Sequence, residues 1–298
     1  MNWDLLPQFF ATGLLTGGVY ALVALGLVLI YKSSRVFNFA QGHILMLGAF
    51  VAWWFAETLG FSVWAAFGAA VIVAALLGLA IERLLLRPLI GQPILATVMM
   101  TLALSQFLQG GAVLLFGAYH RSLPDLFPLQ PIILGSVRLK LNLALSFAMG
   151  MLGFAVFGIF FQFTRAGLAM RATAEDHQLA QSVGLSVPRV FGLAWAIASV
   201  VAAVGGVLLA SISGLETGLA VIALKAFPAV LFGGLESIPG AIIGGLTVGV
   251  IESLVAGLPI DPAVRSLHLG DIAPYIFMLL VLLVRPDGLF GLKRIERI

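Results

Sequence analysis

The sequence predicts an all-α protein whose helices cross a membrane many times. Hydrophobic residues make up 61% of the 298 residues, charged residues only 10%, and the mean hydropathy is +1.12. A soluble globular domain usually carries about a quarter charged residues, so this chain lacks the polar surface that contact with water requires. The apolar stretches are also long enough for membrane-spanning helices, each of which needs about 20 residues. A polytopic transmembrane helix bundle is therefore expected.

The order of the apolar stretches predicts nine crossings, with eight as the alternative. Stretches of sufficient length lie at 8–31, 39–58, 62–86, 93–116, 143–163, 190–212 and 238–257. Two shorter stretches, 219–235 and 271–284, are interrupted by Lys225, Pro228 and Pro274. Each of these two is either a re-entrant segment or a tilted helix among neighbours, because irregular backbone at membrane depth has to be buried in protein.

The distribution of Lys and Arg predicts the orientation, since cytoplasmic loops carry an excess of both. With nine crossings and the N-terminus outside, the inner segments hold Lys32, Arg35, Arg83, Arg87, Arg165, Arg171, Arg189, Arg285, Lys293, Arg294 and Arg297. The outer loops hold Arg121, Arg138, Lys140 and Arg265. This arrangement predicts an external N-terminus, an external 117–142 loop, a cytoplasmic 164–189 loop and a cytoplasmic C-terminus.

Three pairs of glycines are spaced for close packing of helices. Gly13 and Gly17, Gly240 and Gly244, and Gly245 and Gly249 each lie four residues apart, which lets two helix backbones approach. These pairs mark either internal packing or a contact with another subunit, and the sequence leaves both open.

The longest polar segment predicted inside, 164–190, has the features of a short helix. Residues 171–183 contain no Gly or Pro and are rich in good helix formers. Thr173 and Asp176 have capping-box spacing, Gly184 suits a helix C-terminus, and Pro188 prevents continuation. A helix over 171–183 is expected.

One side of this expected helix is apolar, with Leu179, Ala180 and Val183, while Glu175 and Asp176 lie elsewhere. Such a helix either docks into a groove on a soluble partner or rests on lipid headgroups. Helices that lie on membranes usually carry Lys and Arg on the polar face. The two acidic residues therefore favour a protein partner.

Four segments in order resemble the permeases of branched-chain amino acid ABC importers, the LivH type. The loop residues Arg171, Glu175, Asp176, Ala180, Gly184 and Pro188 resemble the cytoplasmic coupling loop of ABC importer permeases. Residues 13–50, with the Asn38–Gly42 turn, resemble the first two helices, 225–254 the late glycine-rich region, and 282–291 the C-terminal signature. Two departures are Gln41, where His is more familiar, and Pro228 in a stretch that is usually Ala-rich.

The resemblance implies that residues 1–298 form one permease domain of an importer in the bacterial inner (plasma) membrane, with 164–189 as the coupling loop. It implies a second, related permease subunit, two cytoplasmic ATPase subunits and an extracytoplasmic solute-binding protein. ATP and Mg would be bound by the ATPase subunits, and this chain would hold no cofactor. The implied solute is a branched-chain amino acid or a related small polar molecule.

Polar residues in apolar surroundings are the candidates for the solute path, because buried charges in membranes are costly. Glu252 lies inside the 238–257 stretch and Lys225 before a proline, so the two can pair with each other or with carbonyls. Asn38, Gln41 and His43 open the second helix. There Asn38 either caps that helix or helps to line the path.

A second set of polar residues lies along the fourth predicted helix. Thr97, Thr101, Ser105 and Gln106 form a polar stripe at helical spacing. Such a stripe either hydrogen-bonds to neighbouring helices or lines a water-filled cavity, and both readings stay open.

Enzyme chemistry and nucleic-acid binding are not supported by the sequence. The histidines are scattered without metal-ligand spacing, the glycine clusters lack the Lys-Ser/Thr of a phosphate loop, and no basic run is present. The alternative to an ABC importer is an ion-coupled secondary transporter, which would use Lys225 and Glu252 as coupling charges.

Overall fold

The computed structural model describes residues 5–124, 126–127, 130–134, 137–258 and 269–291. Some residues used for the predicted topology, Arg265, Lys293, Arg294 and Arg297, lie outside these ranges. The described residues are mostly helical, which confirms the predicted fold class.

The helices follow the predicted apolar stretches closely. They are α1 (Leu6–Ser34), α2 (Gln41–Trp53), α3 (Val63–Ile81), α4 (Ile94–Phe116), α5 (Leu141–Phe163), α6 (Arg165–Glu175), α7 (His177–Ser182), α8 (Val187–Ser213), α9 (Leu219–Ala223), α10 (Ala226–Gly233), α11 (Ile238–Ala256) and α12 (Leu269–Val284). Two π-helical turns extend α2 and α3, at Trp54–Thr58 and Glu82–Leu86, and a 3₁₀ turn follows at Arg87–Leu89.

Six helical segments among the described residues are long and apolar enough to cross a membrane. They are Leu6–Ser34, Val63–Leu89, Ile94–Phe116, Leu141–Phe163, Val187–Ser213 and Ile238–Ala256. The stretches at Leu219–Gly233 and Leu269–Val284 are shorter apolar helices. The protein is therefore a multi-pass helical membrane protein, while the number of crossings and the orientation stay predictions.

The 117–142 segment contains a small hairpin that the sequence did not suggest. Strand β1 (Pro131–Leu134) pairs antiparallel with β2 (Val137–Lys140). The side chain of Gln8 in α1 donates to the carbonyl of Arg138 at 2.6 Å and accepts from its N–H at 2.7 Å. A side-chain amide therefore supplies both hydrogen bonds that a neighbouring strand would have made to Arg138.

The chain divides into two compact units. The first consists of Met1–Val28, Phe127–Met151 and Leu224–Ile298, and the second of Leu29–Leu126 and Leu152–Ala223. Because the division falls within α1 and α5, each of these helices contributes residues to both units.

In the first unit, the start of α1 packs directly on α11. A Cβ atom added to Gly13 would lie 2.6 Å from the carbonyl oxygen of Gly249, and one added to Gly17 would lie 2.7 Å from that of Gly245. The backbones touch because neither helix carries a side chain at these positions. Gly240 and Gly244 likewise meet residues of α10 or the turn before α11. All three glycine pairs therefore serve internal packing.

In the second unit, α8 lies at the centre and packs against α2 and α3. Trp195, Ala198 and Ala202 of α8 are almost fully buried. Small residues again allow close contact, since a Cβ atom on Gly48 would meet Ala203, and one on Gly78 would meet the carbonyl of Trp195. This packing fixes the helix ends that carry most of the candidate site residues.

Candidate functional site

The predicted coupling segment forms two short helices instead of one helix over 171–183. α6 begins six residues earlier, at Arg165, because the Thr164 hydroxyl accepts the N–H of Gly167 at 3.0 Å and caps the helix. Thr173 lies within α6 and is fully buried, so the predicted capping box of Thr173 and Asp176 is wrong.

Asp176 is the residue that separates the two helices. Its backbone is extended (φ −152°, ψ 118°), and its carboxylate accepts the N–H groups of Gln178 at 2.7 Å and Leu179 at 3.0 Å. The side chain thereby satisfies the free donors at the start of α7, which favours a new helix over continuation of α6.

The end of α7 agrees with the sequence prediction. Gly184 has a φ of +86°, a conformation that costs other residues about 1–2 kcal/mol, and the N–H of Leu185 donates back to Ala180 at 3.0 Å. Pro188 lies in the first turn of α8, where its missing N–H costs no helical hydrogen bond.

Two arginines hold α6 against neighbouring helices of the second unit. The Arg171 guanidinium donates to the carbonyl of Phe161 and lies 5.6 Å from the centre of its ring. Lys32, near the end of α1, lies 5.5 Å from the same ring. Arg35 donates to the carbonyl of Ala174 at 3.3 Å. α6 is thus held by both α5 and the end of α1.

α7 presents an exposed apolar pair. Leu179 is 64% exposed and Val183 is 71% exposed, whereas Ala180 is buried. The predicted apolar stripe therefore divides, with Ala180 packed inward and the other two facing outward. Glu175 and Asp176 are exposed beside them. This surface combines apolar contact area with negative charge.

The turn between α1 and α2 contains a buried chain of hydrogen bonds. Asn38 and Gln41 are each only 1% exposed. The amide of Asn38 accepts the N–H of Ala40 at 3.0 Å and donates to Gln41 at 3.0 Å, and Gln41 donates to the carbonyl of Ala198 in α8 at 3.2 Å. Asn38 therefore holds the turn before α2, two residues before the N-cap position, which Ala40 occupies.

This chain of hydrogen bonds should be necessary for stability. Asn38→Leu would remove the acceptor for Ala40 and the donor to Gln41, and unpaired buried polar groups cost about 1–3 kcal/mol each. We expect a lower melting temperature in detergent than for Ser62→Ala, which removes a hydroxyl that caps the exposed start of α3. Equal melting temperatures for the two variants would contradict the assignment.

The polar stripe on α4 has three members rather than four. Thr97, Thr101 and Ser105 are buried on one face, whereas Gln106 is exposed. The hydroxyls of Thr101 and Ser105 donate to carbonyls one turn earlier, and that of Thr101 also lies 3.4 Å from the carbonyl of Phe37. The structure thus brings Thr101 to the Asn38 turn.

The remaining candidates are separate from this group. His43 is half-buried in α2, and its Nδ1 atom has no hydrogen-bond partner among the described residues. Glu252 belongs to the first unit, where its Oε1 lies 2.6 Å from the Nζ atom of Lys225. Of the two alternatives expected for Lys225 and Glu252, pairing with each other or with carbonyls, the structure shows the pairing with each other.

The sequence missed the third member of that cluster. Asp271, at the start of α12, lies 2.7 Å from the same Nζ atom, so Lys225 connects α11 with α12. Lys225 is 13% exposed, Glu252 20% and Asp271 54%. Asp271 is an acidic residue at the edge of the apolar stretch 271–284, and this position alone could have marked it as a possible partner of Lys225.

The chain matches a family model over residues 9–283, described as the permease component of branched-chain amino acid transport systems. It is similar to the high-affinity branched-chain amino acid transport system permease protein LivH of Salmonella typhimurium, with 33% identity over 98% of this chain and 97% of the relative. LivH of Escherichia coli K12 is 32% identical and BraD of Pseudomonas aeruginosa 31%, each over 98% of this chain and 97% of the relative.

Members of this family are transport components rather than enzymes, which agrees with the resemblance seen in the coupling loop, the Asn38 turn and the late glycine-rich region. The comparisons do not favour the ion-coupled alternative. The chain therefore belongs to the family of permease components of branched-chain amino acid transport systems.

Proposed function

We propose that this chain is a permease subunit of an ABC importer that moves branched-chain amino acids across the bacterial inner membrane. It would work with a second, related permease subunit, two cytoplasmic ATPase subunits that bind ATP and Mg, and an extracytoplasmic solute-binding protein. Family membership and the named substrate of the relatives support this proposal.

The structural feature that carries the proposal is the α6–α7 segment. α7 offers an exposed apolar pair, Leu179 and Val183, and neighbouring carboxylates, which is the surface expected of a short helix that docks into a groove. In an importer the groove would belong to the ATPase subunit. Glu175 and Asp176 would supply polar contacts at its edge.

The contacts of α6 provide a route from that groove to the membrane helices. When ATP closes the ATPase dimer, the docked α7 moves and carries α6 with it. Arg171 and Arg35 hold α6 against α5 and the end of α1, so the movement reaches those helices. Rocking of packed helices is the usual basis of alternating access.

The solute path would pass the buried polar groups that the second unit brings together. Asn38, Gln41 and Thr101 form a hydrogen-bonded group, with Thr97 one turn from Thr101 on the same face of α4. Buried polar side chains can replace hydration around the charged end of an amino acid during passage.

Energy coupling can be tested with the complete transporter in proteoliposomes. Leucine uptake should require the ATPase subunits, the solute-binding protein and ATP, and an ATPase variant unable to hydrolyse ATP should abolish it. Uptake that continues without the ATPase subunits would show that the chain works as an ion-coupled transporter.

Substitution of the exposed pair should uncouple the transporter. In Leu179→Asp/Val183→Asp we expect at least a tenfold loss of leucine uptake, because a docking groove that accepts apolar side chains excludes charge. Gln181→Asp, on the opposite side of the exposed α7, is a control that introduces one carboxylate away from the apolar pair, and it should retain most activity.

The double variant should still fold, because both side chains are exposed. Copurification of the ATPase subunits should fall together with uptake. Normal copurification and uptake in the double variant would place the docking surface elsewhere.

A further inference from the structure

The second unit contains a cavity next to, but distinct from, the hydrogen-bonded group of Asn38, Gln41 and Thr101. It has a volume of about 140 Å³ and lies where α1, α3, α4 and α8 meet at their ends, next to Ser34, Glu82, Thr97 and Trp195. An apolar cavity of roughly this size in another protein holds one benzene molecule. The cavity therefore has room for a small organic ligand.

Glu82 is the unusual residue of this cavity. It is only 5% exposed, and no described residue donates a hydrogen bond to its Oε1 atom. Arg83 and Arg87 act on its charge from a distance, yet neither forms an ion pair with it among the described residues. A buried carboxylate without a close partner is costly, so a positively charged group beside it would stabilise the charged form.

Two features of the backbone accompany Glu82 at the cavity. Glu82 is the first residue of the π-helical turn Glu82–Leu86, and such turns are frequent at functional sites. Across from it, Gly192 of α8 has no side chain, and a Cβ atom there would lie 3.3 Å from Oε2 of Glu82. A side chain at position 192 would crowd the carboxylate.

The remaining walls select the kind of cation. Leu86, Leu89, Ile94 and Phe191 provide apolar surface, and Trp195 adds an aromatic side chain, a residue type whose ring can attract an ammonium group. A metal ion would need several oxygen ligands, and the described residues contain no group of three or more side chains suited to metal binding. Apart from Arg35, whose guanidinium donates to the carbonyl of Ala174, the walls fit an ammonium group attached to a short aliphatic chain.

We infer that this cavity binds the ammonium group of the transported amino acid, with Glu82 as its counter-ion and the apolar walls around its aliphatic side chain. The identity of the ligand rests on the proposed function, whereas the cavity and the carboxylate do not. Arg35 also lines the cavity and contacts the α6 carbonyl of Ala174, so the site adjoins the coupling segment.

The test is direct binding to the complete transporter in nanodiscs without the solute-binding protein, measured by calorimetry. Isopentylamine, which keeps the ammonium group of leucine and its branched chain, should bind saturably and compete with leucine. 4-Methylpentanoate, which keeps the carboxylate instead, should not compete. If 4-methylpentanoate competes with leucine and isopentylamine does not, the inference is overturned without any variant.

Glu82→Gln should weaken isopentylamine binding at least about tenfold, since hydrogen bonds to charged groups contribute this much to affinity. Glu82→Asp keeps the charge and should bind with intermediate affinity. Glu57→Gln is the matched control, because Glu57 is exposed and lies outside the cavity. Unchanged isopentylamine binding in Glu82→Gln would overturn the assignment. So would loss of the second permease subunit from purified Glu82→Gln, because Glu82 would then serve assembly of the transporter and not ligand binding.

Leucine uptake by the unsubstituted transporter separates this inference from the proposed function. If uptake fails while isopentylamine still binds through Glu82, the proposed solute is wrong and the ammonium site stands. If uptake proceeds while amine binding is independent of Glu82, the site is wrong and the proposed function stands.

Discussion

Gly17→Leu is expected to prevent the first unit from folding. A Cβ atom at this position would lie 2.7 Å from the carbonyl oxygen of Gly245 and 2.8 Å from the Cα atom of Leu246, and both are backbone atoms. Because backbone cannot rotate away as a side chain can, the cost should exceed the 1–3 kcal/mol or so that is typical of overpacking. That is a large share of the roughly 5–15 kcal/mol that stabilises a native protein.

The measurement is the yield of monodisperse protein and its melting temperature in detergent. Gly68→Leu is the control, since Gly68 also lies in a long apolar helix but an added Cβ atom there meets nothing within 4 Å. We expect normal yield for the control and little or no folded protein for Gly17→Leu. Similar behaviour of the two variants would mean that α1 and α11 do not pack through their backbones.

Lys225→Met should be the second strongly destabilising change. It would leave Glu252 and Asp271 without their shared cation, and Glu252 is only 20% exposed. Removing one partner of a buried ion pair typically costs about 3–5 kcal/mol, largely because the other charge stays buried and unpaired. Lys140→Met, which removes an exposed lysine of β2, should change stability by less than about 0.5 kcal/mol.

A double-mutant cycle isolates the pair from other effects of the substitution. Lys225→Met/Glu252→Gln should be more stable than Lys225→Met alone, because no lone carboxylate of Glu252 then remains. Asp271→Asn should cost about 1 kcal/mol or less, since Asp271 is 54% exposed and its charge is screened. Additive effects of the Lys225 and Glu252 changes would refute the pairing as a source of stability.

Long apolar stretches were sufficient to place the helices within a few residues of their observed ends. Hydrophobicity over about 20 residues is a property of local sequence, and the bilayer leaves the helix as the simplest structure for such a stretch. The β-hairpin in the 117–142 segment was missed although its strands pair locally, because each strand is only four residues long. Its hydrogen bonds to Gln8 join residues 130 positions apart and could not be expected from local sequence.

The coupling segment shows where local reasoning fails. Helix propensity favours continuous helix through residue 176, but propensity is a weak prior that a single side chain can outweigh. Here the carboxylate of Asp176 binds two N–H groups of the next turn and starts a new helix. The same residues stay a predicted contact surface, although the two short helices that present them differ from the single helix expected.

Some of the polar contacts could be expected from local sequence, and others depend on how the helices pack. The pairing of Lys225 with Glu252 could be expected because both charges lie in apolar stretches, whereas Asp271 required knowledge of how α11 and α12 align. Glu82 was overlooked although it is charged and lies within a predicted crossing. Its importance depends on Gly192, which is 110 positions later in the chain and becomes a neighbour only through helix packing.

The contact between α1 and α11 also restricts how these two helices can slide. Gly13, Gly17 and Ala21 follow each other at four-residue intervals, and they face Gly245, Gly249 and Ser253 at the same interval on an antiparallel helix. A slip of one residue would drive a bulky side chain such as Leu246 or Val250 into the opposing backbone. A slip of four residues, about 6 Å along the helix axis, brings small residues opposite each other again. The pair thus has a discrete register with steps of roughly one helical turn, so these helices resist gradual sliding while the transporter changes conformation.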